Sequence, residues 1–445
     1  MPSTPSSDAA TETAGSQSAI GANRIASDAR SAFACQVAGQ MTTWLMTAAL
    51  ARDMTTAEFG AYLWAMSIAS FLTVPLGFGM PLVMLRYLPV YRSAADWSHY
   101  AGLIYVAVGS SVICGVVMGI AGDIAIHHYR IAAFPHIGPV LELSVGVAIV
   151  MAISTIVMQA HRVLSGARAL AVPTIVPPIV VLLTVLALRS YLSRLSAWQT
   201  IEATGVAYCS VAAIQSAHFW FDFRRSTESA LVLPKVRLGE WARPAAQIVA
   251  SSSMLLFQSQ MDVILAGLLL PPSSVAVYGM SARFARLASI SVFSVQTATG
   301  PQIALAHAQG DLKRAKETVA TATRWMVWPA LLACAVLIAM GRIFLALFGG
   351  MYVAAYAPMC ILLVGYVVNV GCGPVALLLN VTGNEKKVPL SCVVAIITEG
   401  ALILLLVKKL GINGIASSAA IGMAVWNIWL LLVSKRTDGL SEPGI

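Results

Sequence analysis

The chain has 445 residues, of which 58% are hydrophobic and 11% are charged, and its mean hydropathy is +0.80. A soluble domain carries about 25% charged residues because water must wet its surface. This composition therefore excludes a soluble enzyme, a nucleic-acid-binding module and a secreted disulfide scaffold. The net charge of +9 instead predicts basic cytoplasmic loops that contact the anionic headgroups of membrane lipids.

In chain order, the sequence predicts a tail, six membrane spans, a basic connection, six further spans and a second tail. Residues 1–30 are rich in Ser, Thr and Ala and predict a disordered cytoplasmic tail. A span needs about 20 apolar residues, and twelve stretches meet this requirement, six within 31–221 and six within 244–433. The basic linker is 222–243, and 434–445 form the second cytoplasmic tail.

The positions of Lys and Arg predict the orientation of the spans. With the N-terminus inside, the inner segments hold 19 of the 28 basic residues and the outer segments hold seven. Positive residues favour the cytoplasmic side, so both termini are expected in the cytoplasm. Each of the loops is too short to form a domain of its own.

The two groups of spans share a pattern, which predicts two similar lobes. The turn at 55–62 corresponds to the turn at 271–278, an offset of 216 residues, and each precedes a long span, predicted at 59–85 and at 275–300. The first and seventh spans each carry a polar stripe, and polar stripes in membrane helices point inward. The stripes are Gln36, Gln40, Thr43 and Thr47 in the first span, and Gln247, Ser251, Gln258 and Asp262 in the seventh. The predicted fold is therefore an all-α integral membrane protein with about twelve helices in two six-helix lobes around a central cavity.

Several short motifs in the second half resemble one family of transporters. Their order is Asp262–Gly267, Val277–Arg283, Gly300–Ala304, Thr382–Lys387 and Gly411–Ala416, and Glu58–Tyr62 adds a match in the first half. Over about residues 30–435, this pattern resembles the polysaccharide transporters (Wzx-type O-antigen flippases). Their superfamily also contains the MATE drug exporters and the lipid II flippase.

The resemblance implies a MATE-like, V-shaped, two-lobed transporter in the bacterial inner membrane. It implies a substrate made of an oligosaccharide linked to undecaprenyl diphosphate, flipped from the inner to the outer leaflet for assembly of O-antigen, capsule or exopolysaccharide. A polysaccharide polymerase and chain-length proteins would be its partners. The sequence predicts no bound cofactor and no metal site, and coupling to H⁺ or Na⁺ is left open.

Charged residues inside the predicted spans are candidate site residues, because an ionised side chain at mid-membrane costs about 2.5–3.5 kcal/mol on insertion scales. Asp262 and Arg283 lie at matching depths on either side of the turn at 271–272, which predicts a structural salt bridge. The alternative for Asp262 is a proton or cation site that couples transport. Arg286 has no evident acidic partner in its hairpin, and a guanidinium suits a diphosphate, so it is predicted to contact substrate phosphate. The alternative for Arg286 is that it pairs with an acid elsewhere in the protein.

The other candidates carry two interpretations each. Arg86 is interpreted as a cytoplasmic anchor or as a capture site for the lipid diphosphate. Glu399 is expected either to form a hydrogen bond with a neighbouring helix or to relay protons. Gln36, Gln40 and Gln258 are expected to line the cavity and contact substrate, together with Arg283.

Two alternative functions remain beside the flippase. A multidrug or cation exporter of the MATE type would have a cavity of acids and aromatics. A membrane polysaccharide polymerase or glycosyltransferase would need catalytic residues on a substantial outer loop. The chain has no phosphate-binding nucleotide loop, so a transporter that is neither an enzyme nor powered by bound ATP is expected.

Overall fold

The computed structural model describes residues 34–129, 137–189, 194–228, 232–290, 311–381 and 387–438, with isolated positions between 291 and 310. The predicted N-terminal tail and most of the predicted C-terminal tail lie outside the described residues. So do Gly300, Pro301 and Ala304 of one motif and residues 382–386 of another.

The described residues form a succession of helices that we divide into two lobes. The first lobe contains α1 (34–53), α2 (Thr56–Leu76), α3 (Met80–Ser93), α4 (Trp97–Tyr129), α5 (Ile137–Ser165), α6 (Ala171–Arg189) and α7 (Ala197–Ser226). The second lobe contains α8 (Leu238–Leu269), α9 (Pro272–Ala285), α10 (Leu312–Ala346), α11 (Tyr356–Cys372), α12 (Val375–Val381), α13 (Lys387–Leu410) and α14 (Ile412–Asp438). Short 3-10 segments occupy Gly166–Leu170, Arg286–Ser289 and Gly350–Ala355.

The surface of these helices shows that the protein crosses a membrane several times. Among the described residues, nine helices are long and apolar enough to span a bilayer. Large apolar side chains lie exposed along them, among them Ile113 at 66% and Leu405 at 68%. Only a lipid environment accommodates such continuous apolar faces. The predicted all-α integral membrane fold is therefore confirmed.

The predicted continuous span 59–85 is wrong, because the structure divides it into α2 and α3. Helix α2 begins where the Thr55 hydroxyl accepts a hydrogen bond from the Glu58 amide, an N-cap arrangement. It ends at Gly77, and Phe78 and Gly79 both adopt positive φ angles before α3 begins. A left-handed backbone stops helical hydrogen bonding and is the conformation that glycine tolerates best.

The predicted span 275–300 is also not one continuous α-helix in its described part. Helix α9 starts at Pro272, whose missing amide proton costs nothing in the first turn of a helix. It ends at Ala285 and continues as the 3-10 segment Arg286–Ser289. Beyond residue 290 only isolated positions are described, so the rest of this span stays a prediction.

The lobes meet where α2 packs between α8 and α9. The approach is closest at Gly60, where an added Cβ would lie 1.7 Å from the carbonyl oxygen of Pro272. A Cβ on Gly267 of α8 would lie 2.0 Å from the Trp64 ring of α2. One continuous apolar core accordingly contains residues of both lobes, including the fully buried Phe59 and Tyr278.

Candidate functional site

An aromatic cluster joins the lobes from the end of the molecule where α2 and α9 begin, which we call the α2/α9 end, down to Phe284 near the last residue of α9. This gate cluster consists of Trp44, Phe59, Phe284, Phe348 and Tyr352. The ring centroids of Trp44 and Phe284 are 4.9 Å apart, and those of Phe59 and Tyr352 are 5.9 Å apart. Both pairs cross from the first lobe to the second, so the cluster seals this end by apolar and edge-to-face contact.

Two hydrogen bonds to backbone carbonyls reinforce the same closure. Arg52 at the end of α1 donates through Nε to the Leu347 carbonyl oxygen at 2.9 Å. The indole Nε1 of Trp64 donates to the Ile264 carbonyl oxygen at 3.0 Å. Each bond links the first lobe to the second, and both would have to break if the lobes separated here.

Arg283 forms a third link between the lobes. Its Nη1 donates to the Thr47 hydroxyl of α1 at 2.9 Å, and its charge also faces the Tyr62 phenol of α2. Tyr62 in turn is hydrogen-bonded to Thr204 of α7. The guanidinium of Arg283 is thus held by hydroxyl groups of the first lobe, and it forms no salt bridge within the described residues.

The predicted Asp262–Arg283 salt bridge is therefore wrong. The Asp262 carboxylate instead accepts a hydrogen bond from the Tyr278 hydroxyl at 2.7 Å, and the cation that interacts with it electrostatically is Arg286. Depth along the helices does not decide the partner of Asp262. The direction in which each side chain leaves α9 does. At about 100° per residue, Tyr278 and Arg283 differ by about 140° around α9, whereas Tyr278 and Arg286 differ by about 80°. Arg286 consequently shares the side of α9 that faces α8, and Arg283 faces α1.

Asp262 belongs to a polar cluster inside the second lobe. This second-lobe polar cluster consists of Asp262, Tyr278, Arg286, Tyr366 and Glu399. Arg286 interacts with the Tyr366 phenol and with the Asp262 carboxylate, and Asp262 and Glu399 repel one another electrostatically. The Glu399 side chain is only 3% exposed. Two carboxylates that share an apolar interior favour binding of a proton or a cation between them.

Arg286 differs from its neighbours because it is accessible. Ala285 and Ala288 beside it are buried, whereas Arg286 is exposed. Among the described residues it forms no salt bridge within 4 Å. A guanidinium that keeps accessible surface and has no salt bridge within 4 Å can bind phosphate or carboxylate oxygens of a ligand, in addition to its longer-range attraction to Asp262.

The remaining predicted site residues lie apart from this cluster or at its edge. Gln36 and Gln40 are exposed on α1, and Arg86 is exposed on α3 with its guanidinium over the Tyr87 ring at 5.7 Å. Gln258 lies one turn from Asp262 on α8, and its Oε1 accepts a hydrogen bond from the Cys392 thiol at 3.4 Å. The substrate roles of all four residues stay predictions.

The structure adds Tyr278, Tyr366 and Tyr62 to the candidate site. Among the candidate site residues predicted from the sequence are charged and amide side chains only, and no role was predicted for these three tyrosines. Tyr278 was within reach of prediction, because it lies in the repeated turn motif and is 16 residues from Asp262 across a tight hairpin. Tyr366 comes from α11, so only the tertiary arrangement brings it to Arg286.

We expect Tyr278→Phe to destabilise the second lobe, because it removes the hydroxyl that donates to the buried side of Asp262. Hydrogen bonds to charged groups contribute about 1.5–3 kcal/mol, so the apparent melting temperature in detergent should fall measurably. The matched control is Tyr356→Phe, whose hydroxyl donates to the neutral Ile338 carbonyl at 2.8 Å. Equal shifts in the two variants would contradict a special role for the Asp262–Tyr278 bond.

Comparison with known proteins identifies the fold. Residues 248–405, roughly a third of the chain, match the MatE family model. No curated protein matches the sequence. An inward-facing multidrug resistance MATE family transporter of the MOP superfamily superposes with a TM-score of 0.76 at 13% identity, covering 91% of this chain and 96% of that one. The fold is that of the MATE transporters.

Two further structures with this fold differ in conformation and in function. An outward-facing multidrug resistance MATE family transporter superposes with a TM-score of 0.62 at 14% identity, covering 92% of this chain and 93% of that one. The lipid II flippase MurJ, in an inward closed conformation, superposes with a TM-score of 0.66 at 13% identity, covering 92% and 87%. At these identities the MATE fold is shared, and the substrate has to be argued from the residues of this chain.

Proposed function

We propose that this chain is an alternating-access transporter that flips an anionic, lipid-linked oligosaccharide from the inner to the outer leaflet of a bacterial inner membrane. The observation that carries the proposal is the pair of arginines where α9 ends and the 3-10 segment begins. Arg283 and Arg286 lie within one helical turn, Arg283 facing the first lobe and Arg286 facing the second-lobe polar cluster, and neither forms a salt bridge within the described residues. An undecaprenyl diphosphate headgroup would supply negative charge in addition to that of Asp262.

The energetics favour a ligand over a purely structural role for Arg286. A cation in the membrane interior is costly and is normally compensated by an acid or by water. Asp262, its nearest acid, already accepts the Tyr278 hydroxyl and faces Glu399. A diphosphate with several oxygens can engage a guanidinium through paired hydrogen bonds. Its sugars can bind hydroxyl and amide side chains, while the prenyl tail remains in lipid.

The conformation suits the start of such a cycle. The α2/α9 end is closed by the gate cluster and by the Arg52 and Arg283 hydrogen bonds. The positive-inside rule would place this end on the outer side of the membrane. The higher TM-score with an inward-facing than with an outward-facing MATE transporter, 0.76 against 0.62, supports the same assignment. The chain would thus be open to the leaflet in which lipid-linked precursors are made.

The multidrug or cation exporter is the second candidate, and the second-lobe polar cluster favours it. Asp262 and Glu399 with Tyr278 and Tyr366 provide the acids and aromatics that an organic cation would bind. Arg286 stands against it, because this accessible cation would repel a cationic drug beside the same carboxylates. The two functions thus differ in the role of Arg286.

In either case the carboxylates of the cluster are candidates for ion coupling. We expect Asp262→Asn to lose the dependence of transport on an imposed H⁺ or Na⁺ gradient and to retain exchange of substrate across the membrane. The amide keeps the shape and the hydrogen bond from Tyr278 but carries no charge. The measurement is uptake in proteoliposomes with and without the gradient. Gradient-driven uptake by Asp262→Asn equal to wild type would remove Asp262 as a coupling residue.

The proposed function is tested in a deletion strain that is assayed for undecaprenyl-linked oligosaccharide and, in parallel, for drug sensitivity. Complete repeat units that accumulate on the inner leaflet, with loss of surface polysaccharide, would support the flippase. Unchanged glycolipids with increased drug sensitivity would favour the exporter. Single repeat units that reach the outer leaflet but are not polymerised would overturn both and point to a polymerase.

A further inference from the structure

The connection between the two lobes is docked on the first lobe rather than lying free. The Lys235 amide donates to the Ser98 carbonyl oxygen at 2.9 Å. A Cβ on Gly102 of α4 would lie 1.9 Å from the Lys235 carbonyl oxygen, so backbone and helix are in direct contact. Trp241, at the start of α8, is fully buried and its Nε1 donates to the Tyr91 hydroxyl at 3.1 Å.

His99 lies at the centre of this contact and uses both ring nitrogens. Its Nδ1 lies 2.6 Å from Oδ2 of Asp96, in the loop before α4, and its Nε2 lies 2.9 Å from Nε of Arg237. An arginine Nε is always a donor, so the histidine Nε2 must accept. Nδ1 therefore carries the proton and donates to Asp96. This arrangement requires a neutral imidazole.

We propose that His99 is a proton-sensitive latch, which holds the connection between the lobes on the first lobe while its ring is neutral and releases Arg237 when the ring is protonated. Protonation places an N–H on Nε2, so the hydrogen bond from Arg237 is lost and two cations face each other. The lost hydrogen bond and the new repulsion both favour release of Arg237 from His99.

The charges around His99 come from each element packed against it. Asp96 in the preceding loop is the anion, Arg237 in the connection is the cation, and Glu240 of α8 binds Arg237 at 3.4 Å. The Tyr91 ring of α3 lies 5.7 Å from the His99 ring. Burial raises the pKa of the Asp96 carboxyl, but hydrogen bonds from the His99 ring and amide lower it by more, so its pKa lies below the usual value. Asp96 thus stays ionised as the pH falls and retains the protonated ring, while Arg237 is released.

The consequence for transport rests on the proposed function, whereas the latch itself does not. In an alternating-access cycle the lobes move relative to one another, and the connection must follow that movement. A connection held on the first lobe restrains the start of α8, and release of Arg237 would remove one of these restraints while the buried Trp241 keeps its bond to Tyr91. We therefore expect acidification on the side of the basic connection to make the change between conformations easier.

The latch is tested by hydrogen exchange of the full-length protein in detergent, with protection factors for residues 232–240 compared at about pH 8 and about pH 5.5. The Lys235 amide, bonded to Ser98, reports docking directly. Loss of a hydrogen bond to a charged group predicts that protection falls by about tenfold or more at the lower pH in wild type. Protection of this segment that is unchanged between the two pH values would overturn the proposal.

Three variants make the test specific. His99→Gln can accept from Arg237 without titrating, so protection of the segment should persist at both pH values. Arg237→Ala removes the donor and should give low protection at both. His161→Gln is the matched control, because His161 is another histidine held by a carboxylate, Asp222 at 3.0 Å. A pH response that survives in His99→Gln, or that vanishes in His161→Gln, would assign the effect to another group.

These results separate the latch from the function. The exchange experiment needs no substrate, so a failed flippase assay would leave it intact. Conversely, hydrogen-exchange protection of residues 232–240 that does not change with pH, in a protein that transports the oligosaccharide, would overturn the latch alone.

Discussion

Replacement of Arg286 by alanine is expected to abolish transport while the protein remains folded in the membrane. The variant removes the accessible guanidinium that we assign to the substrate diphosphate, and it leaves the Asp262–Tyr278 bond in place. Loss of one partner from a desolvated charge pair costs about 2–5 kcal/mol, so the transport rate at limiting substrate should fall by about 30-fold or more. Flipping of a fluorescent undecaprenyl-diphosphate oligosaccharide in proteoliposomes measures this directly.

Two further variants distinguish binding from general charge effects. Arg286→Lys keeps the charge but loses the planar fork, so intermediate transport is expected. Arg342→Ala removes an exposed arginine of α10, whose guanidinium lies 4.9 Å from the centre of the Tyr356 ring of α11. Transport by this variant is expected to be close to that of wild type. Full activity of a well-expressed Arg286→Ala protein would eliminate Arg286 as a substrate contact.

Replacement of Gly60 by alanine should force the α2/α9 end open. The added Cβ would lie 1.7 Å from the Pro272 carbonyl oxygen and 2.7 Å from its carbonyl carbon, and these backbone atoms cannot rotate away. Overpacking costs about 1–3 kcal/mol. We therefore expect hydrogen exchange of residues 54–64 to rise by about 10- to 100-fold in the variant.

The control for this variant is another glycine in a membrane helix. A Cβ on Gly119 of α4 would meet no atom within 4 Å, so Gly119→Ala should leave exchange at residues 54–64 unchanged. A Gly60→Ala protein with wild-type exchange and wild-type transport would show that the contact between α2 and α9 does not control closure.

Much of the fold could be predicted from the sequence because lipid imposes a simple rule. Apolar stretches must form helices long enough to cross the bilayer. Helices α5 and α13 accordingly lie close to the spans that the sequence predicts at 138–160 and 388–407. The break between α2 and α3 has local signals in Pro75, Gly77 and Gly79. A window of about 20 residues averages over such signals, which is why one continuous span was predicted.

The charged residues of the candidate site could be predicted from the sequence, but the partner of each one could not. The cost of membrane burial singles out Asp262, Arg286 and Glu399, and the structure brings these three together. The partner of Arg283 could not be derived from depth alone, since it depends on which helix faces that side of α9. Thr47 is that partner, and it lies 236 residues earlier in the chain.

The central claim is that this MATE-fold chain flips a lipid-linked anion, and one measurement tests it most directly. Purified protein is reconstituted in vesicles with fluorescent undecaprenyl-diphosphate oligosaccharide, and a membrane-impermeant quencher reports the fraction in the outer leaflet over time. We predict rapid loss of the protected pool with wild type and slow loss with Arg286→Ala. Identical slow rates for wild type, Arg286→Ala and protein-free vesicles, from protein that transports organic cations in the same vesicles, would contradict the account.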